Sequence, residues 1–135
     1  MSFVIDASTA LAAVLPDEDS AFARAAVAAA LDDALVVPTL WMYEVQNGLA
    51  MAVRRDRIDL TSANEALDAL RALRAELIAP QGLGQEFRLG NAHALTAYDA
   101  AYLAVALGAG ARLATNDMRL RSVAEKLGVA LFIEP

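Results

Sequence analysis

The sequence predicts an α/β fold: one domain over residues 1–135, three layers (α/β/α), with a short central parallel sheet. Three observations predict it. Short apolar runs alternate with segments of helical length, and strands separated by helices form parallel sheets covered on both faces. The runs Phe3-Val4-Ile5 and Leu35-Val36-Val37 are apolar throughout, as buried strands are. Alanine supplies 32 of the 135 residues, which favours helices that add little bulk and pack closely.

The elements follow in order. Phe3-Val4-Ile5 is a first strand ending at Asp6, and a helix from Ala7 to Leu15 stops before Pro16. Asp17-Glu18-Asp19-Ser20 caps and favourably charges the next helix, which runs to Leu31. Leu35-Val36-Val37, backed by Pro38, is a second strand, and Thr39 caps a long helix from Leu40 to Arg54. A helix is expected from Ser62 to Leu77, opened by Thr61 or Ser62 with Glu65 at capping-box spacing. Ala79 to Gly84 is a loop, and Gln85 to His93 a short helix. Thr96 opens a helix that ends near Gly108 and Gly110. Arg112 to Thr115 is a third strand. Asn116 or Asp117 starts a helix ending at Gly128, and Val129 to Ile133 is expected as a last strand.

Composition excludes several classes of function. Cysteine is absent, which removes thiol catalysis, Cys-ligated zinc, iron–sulfur clusters and a disulfide scaffold. The uncharged stretch Ala100 to Ala111 spans 12 residues, short of the roughly 18 that suggest a membrane helix. The N-terminus has no basic region and Asp6 interrupts its apolar run, so no signal peptide is expected and the cytoplasm is the expected location. The net charge of −6 argues against simple electrostatic binding of nucleic acid.

The positions of the acids qualify that last point. Ligands of such folds bind beyond the carboxyl ends of the strands. Asp6 follows the first strand and Asp117 the strand ending near Thr115. Asp99 and Glu44 lie in the first turns of helices that begin at the same edge. Asp6, Glu44 and Asp99 sit in apolar company, where an unpaired acid is costly to bury. Plain structural roles compete: Asp6 and Asp117 are good helix caps, and Asp99 follows Thr96 at near capping-box spacing. Glu44 has Gly48 at i+4, so no base there explains it. Acids converging on one place repel one another, and a divalent cation relieves the cost. Oxygen-only ligands suit Mg²⁺ or Mn²⁺. Such an ion activates water and stabilises charge on a phosphate, which points to hydrolysis of nucleic-acid phosphodiesters. Setting the four acids aside leaves 13 acids against 11 bases, ten of them arginine, the better fork for phosphate.

The segments Phe3-Val4-Ile5-Asp6-Ala7-Ser8, Glu44-Val45-Gln46-Asn47-Gly48-Leu49, Leu95 to Ala104 and Leu113-Ala114-Thr115-Asn116-Asp117 resemble those of PIN domains. They are most similar to the VapC-type toxin ribonucleases of toxin–antitoxin pairs. The resemblance runs over essentially the whole chain. It implies a PIN-like fold and a metal-dependent endoribonuclease, with Asp6, Glu44, Asp99 and Asp117 as catalytic and metal-holding acids. Asp6, Glu44 and Asp99 would hold one Mg²⁺ or Mn²⁺, directly or through water. Asp117 would complete that site or assist a second ion. It further implies Thr115 as a supporting hydroxyl, with Asn116 and Asn47 beside the acids. It also implies RNA as substrate, a cognate VapB-type antitoxin and a homodimer, with no role for a membrane.

Other signals are weaker. Arg54, Arg55 and Arg57 form the densest basic cluster, either a solvated helix end or a candidate RNA contact. Trp41 reads as core. His93, the single histidine, has no nucleophile pattern near it, and Gly82-Leu83-Gly84 is only a fragment of a dinucleotide fingerprint. The alternative function is a non-catalytic, receiver-like α/β module binding phosphate or protein. It would want paired acids after the first strand and a lysine near the last. Here Asp6 stands alone, and the only lysine is Lys126, in the final helix.

Overall fold

In the computed structural model, which describes residues 1–134, the apolar runs form β1 (Ser2–Ile5), β2 (Ala34–Pro38) and β4 (Arg112–Ala114) of a four-stranded sheet. Its order is β3-β2-β1-β4, with β3 (Glu76–Ile78) at one edge. Every pairing is parallel; Phe3 lies beside Leu35 and Val4 beside Leu113. Successive strand residues point to opposite faces, yet Phe3, Val4, Ile5, Leu35, Val36 and Val37 are all buried. Both faces are therefore covered, by α1 (Ala7–Val14), α2 (Ala21–Leu31), α3 (Leu40–Arg54), α4 (Leu60–Ala72), α5 (Gln85–His93), α6 (Ala97–Ala109) and α7 (Met118–Lys126). Helix α6 crosses β2, β1 and β4, and α2 crosses β1 and β2.

Two expectations from the sequence are corrected. The helix expected over Ser62 to Leu77 starts earlier and stops at Ala72. Its cap is the Asp59 side chain, which accepts the Ser62 N–H at 2.7 Å, rather than Thr61 or Ser62. Arg74 adopts φ 51°, a left-handed turn that ends the helix without a glycine or proline to announce it. Glu76–Ile78 then joins the sheet as an edge strand. At the other edge, Val129 to Ile133 makes a single parallel bridge, Leu113 to Leu131, in place of a full strand. Because β4 has three residues, few ladder bonds fit: Leu113 N–H to Ala130 O and Phe132 N–H to Leu113 O, each 2.9 Å. The segment is anchored instead by Phe132, packed edge-on against Phe3 and Phe22.

Two features position the site. The chain leaves β1 toward β2, while β4 returns on the opposite side of β1. That makes the β1/β4 boundary a switch point, where an open α/β sheet leaves a crevice at its carboxyl edge. Helix α3 also lies close on α1: a Cβ at Gly48 would strike the Leu11 side chain. With Trp41, Val45, Leu49 and Ala52 buried, α3 and its first turns are held firmly. Trp41 is core, as its sequence context suggested.

Candidate active site

Asp6 is the first residue after β1 and serves two purposes. Its Oδ1 caps α1, accepting the Thr9 N–H at 3.0 Å and the Ser8 hydroxyl at 3.4 Å. Its Oδ2 accepts the Thr115 hydroxyl at 2.5 Å, across the β1/β4 boundary. Only 7% of Asp6 is exposed, so these donors replace the water that burial removes. The capping reading and the functional reading are compatible: one oxygen faces the helix and the other the neighbouring strand.

Thr115 follows β4 and is completely buried. Besides donating to Asp6, its hydroxyl accepts the Asp117 N–H at 3.0 Å. Asp117 is the N-cap of α7; its Oδ1 accepts the Leu120 N–H at 2.9 Å, and its side chain is exposed. Asp99 sits in the first turn of α6, whose cap is Thr96: the Asp99 N–H donates to Thr96 Oγ1 at 3.0 Å. Partial burial, then the charge of Asp117 and, more weakly, that of Asp6, push the Asp99 carboxyl above its ordinary value. Asp6 and Asp117 therefore lie near enough for their charges to act on Asp99.

Glu44 lies in the second turn of α3 and is exposed. The Tyr102 hydroxyl on α6 donates to its Oε1 at 2.6 Å. Burial, then the Glu44 hydrogen bond, push the Tyr102 phenol well above its ordinary value of 10.0, so it remains a donor. Asp6 acts on the same phenol, which links Glu44 to Asp6.

Sequence reasoning missed three residues here, Tyr102, Arg121 and Arg119. Tyr102, three after Asp99, read as one more apolar residue in an alanine-rich helix. The Arg121 guanidinium donates to the Thr115 carbonyl at 3.1 Å, and Arg119 donates to Ala94 O at 3.1 Å in the turn before α6. The signal for Arg121 was its place one turn beyond Asp117. By contrast, Arg54, Arg55 and Arg57 lie at the far end of α3, about 15 Å along the helix axis from Glu44 at 1.5 Å per residue. Arg57 is already paired there with Asp17 (2.8 Å) and Glu18 (3.3 Å). The structure does not bring this cluster to the acids, because both helix ends cannot face one sheet edge. Asn47 and Asn116 are exposed beside Glu44 and Asp117, and neither side chain makes a hydrogen bond among the described residues. An apolar recess lined by Ile78, Leu83, Phe87, Ala101 and Val105 opens alongside, and none of the four acids lines it.

The donor set fits a hard divalent cation. It consists of carboxylate oxygens, with charges that resist one another and one acid already withdrawn from water. No three His or acidic side chains among the described residues are gathered closely enough to form a metal site by themselves; carboxylate oxygens with waters are the ligands that Mg²⁺ takes.

Comparison with known proteins bears on the family and the fold. The family model for the PIN domain matches residues 3–126. The chain is 38% identical over 117 residues to Ribonuclease VapC9 of Mycobacterium tuberculosis, covering 87% of each chain. It is 37% identical over 130 residues to Ribonuclease VapC3 of Pyrobaculum aerophilum, covering 93% of this chain and 95% of the relative. The crystal structure of PAE2754 from Pyrobaculum aerophilum shares the fold, with a TM-score of 0.71 at 24% identity over 91% of this chain and 79% of that one.

Proposed function

Because the chain belongs to the PIN-domain family, in its VapC group, we propose that it is a metal-dependent endoribonuclease toxin. It hydrolyses RNA phosphodiester bonds with Mg²⁺ or Mn²⁺ and is neutralised by a cognate VapB-type antitoxin. The same reading makes it a cytoplasmic homodimer; no helix among the described residues is long and apolar enough to cross a membrane. The observation that supports the proposal is the linkage of acids from four separate elements near the carboxyl edge of the sheet: Thr115 joins Asp6 to the Asp117 N–H, the charges of both act on Asp99, and Tyr102 joins Glu44 to the helix that carries Asp99. A receiver-like module would not require that linkage, and the family match removes its support.

Asp6, Glu44, Asp99 and Asp117 would hold the ion. When bound, the cation would offset the carboxylate repulsion, activate water and stabilise charge on the phosphate. Thr115 fixes the Asp6 carboxylate and, through the Asp117 N–H, the start of α7. Arg121 donates to the Thr115 carbonyl and Arg119 to Ala94 O, just before the α6 cap, and their remaining N–H groups suit phosphate oxygens on either side of the cut.

The test is to map new RNA 5′ ends after brief induction. Wild type is expected to generate discrete ends that disappear in Asp6→Asn. Asparagine keeps a capping oxygen for α1, so the variant is expected to fold. Mn²⁺ is expected to raise the melting temperature of wild type and not of the variant. Identical 5′ ends from the two proteins would sink the assignment.

The arginines give a second test. Arg121→Gln is expected to raise KM for RNA and to reduce the slope of log affinity against log salt by about one. Arg54→Ala and Arg55→Ala are expected to leave both unchanged. The opposite pattern, read by binding titrations at several salt concentrations, would return the RNA contact to the end of α3.

A further inference from the structure

Two of the four acids are tied to the backbone of their own element: Asp6 accepts from Thr9 N–H and Asp117 from Leu120 N–H. Asp99 is shorter by one carbon than Glu44 and interacts with the cap residue Thr96. Glu44 differs. It is exposed, it has the longest side chain of the four, and its carboxylate has one hydrogen bond among the described residues, from Tyr102. Tyr102 is 2% exposed, on a helix that crosses β2, β1 and β4. One partner is therefore rigid and the other free to turn.

We propose that Tyr102 is a positioning residue of the acidic site: its buried hydroxyl holds Glu44 Oε1 across the α3–α6 boundary and leaves Oε2 as the free ligand atom. Outer hydrogen bonds of this kind orient metal-holding carboxylates. The bond joins residues 58 apart in sequence, so it also ties the second turn of α3 to the second turn of α6. The inference rests on the ribonuclease reading above, since it assigns Glu44 to the ion.

The experiment is a double-mutant cycle of Tyr102→Phe and Glu44→Gln. It is read by calorimetric titration of metal-free protein with Mn²⁺, by kcat and KM on RNA, and by melting curves. Phenylalanine keeps the ring, and the exposed Glu44 carboxylate regains water, so the fold is expected to hold. Tyr102→Phe is expected to weaken Mn²⁺ binding by about 10- to 100-fold. It is expected to lower kcat with KM little changed, and to add far less on the Glu44→Gln background. Wild-type Mn²⁺ affinity and kcat in Tyr102→Phe would overturn the proposal. So would an equal loss on both backgrounds, or a lower Tm as the only effect. If wild type itself neither binds Mn²⁺ nor cuts RNA, the ribonuclease reading fails, and the positioning role fails with it.

Discussion

Replacing Asp99 by Asn is expected to make the metal-free protein more stable and nearly inactive. The two effects share one cause. In the folded chain Asp99 is partly withdrawn from water and faces the charges of Asp117 and Asp6, and its carboxyl is pushed above the ordinary value of 3.8. A raised carboxyl favours the protonated form, so the ionised form counts against folding at neutral pH. The penalty is full above the folded pKa, declines as pH falls through it, and vanishes below the unfolded value. Asparagine removes the charge and keeps the shape. The variant is therefore expected to melt higher than wild type at pH 7 and level with it below about pH 4. Adding Mn²⁺ is expected to narrow the gap by stabilising wild type alone. The same substitution removes an acid proposed to hold the ion. Its cost to cleavage is expected to exceed the roughly 10- to 100-fold typical of losing an outer partner. Melting scans at pH 7 and pH 3.5, with and without Mn²⁺, check the first part. A lower Tm at pH 7 than wild type would refute the repulsion argument.

That trade-off explains why the acids were visible in the sequence. A carboxylate in apolar company, such as Val4-Ile5-Asp6-Ala7, breaks the local pattern, and broken patterns mark sites where function opposes stability. The elements that carry them were legible for a related reason. Helix α6 begins at a threonine that caps and ends at a glycine, Gly110, with φ 60°. Helix α3 starts just after Pro38 closes β2 and runs Leu40–Arg54, as its sequence suggested, but Thr39, expected as its cap, has helical backbone angles and makes no side-chain capping bond. What stayed hidden lacked a local signal. β3 is three residues long, and its Leu77 is exposed; its sheet membership comes from pairing with β2, a distant segment. Tyr102 looked like core because it is core; only its hydroxyl, meeting Glu44 on another helix, is part of the site. The arginines show the same limit. Density in sequence pointed to Arg54, Arg55 and Arg57, whereas Arg121, on the helix that starts at the strand edge, donates to the carbonyl of Thr115, the residue whose hydroxyl bonds Asp6.

Charge has a similar lesson. The −6 of the chain describes no uniform surface. Asp17 and Glu18 are spent on Arg57, and Asp68 on Arg71, all away from the four site acids. The acidity concentrated at the edge of β1 and β4 is what a cation would offset, while Arg119 and Arg121 stand beside it.

Thr115→Val is expected to give the largest loss of stability of any single change at the site that preserves volume. Valine fills the same space in a position with no exposure, so cavity formation contributes little. What is lost is one hydroxyl with two bonds: it donates to Asp6 Oδ2 and accepts from the Asp117 N–H. Asp6 is then a buried carboxylate with its capping donors on one oxygen and nothing on the other. Leaving a buried polar group unsatisfied costs about 1–3 kcal/mol, and the orphaned Asp117 N–H adds to it. For a chain of 135 residues, that corresponds to a fall in Tm on the order of 5 °C or more. Cleavage is expected to fall as well, by roughly 10- to 100-fold, because Asp6 and Asp117 lose the group that fixes them relative to each other. Thr115→Ser separates the two contributions. It retains the hydroxyl and sacrifices one buried methyl, so it is expected to keep most of the activity while losing some stability. A serine variant as inactive as valine would mean that the methyl, not the hydroxyl, holds the site in place. The arrangement at the β1/β4 boundary would then be a matter of packing alone.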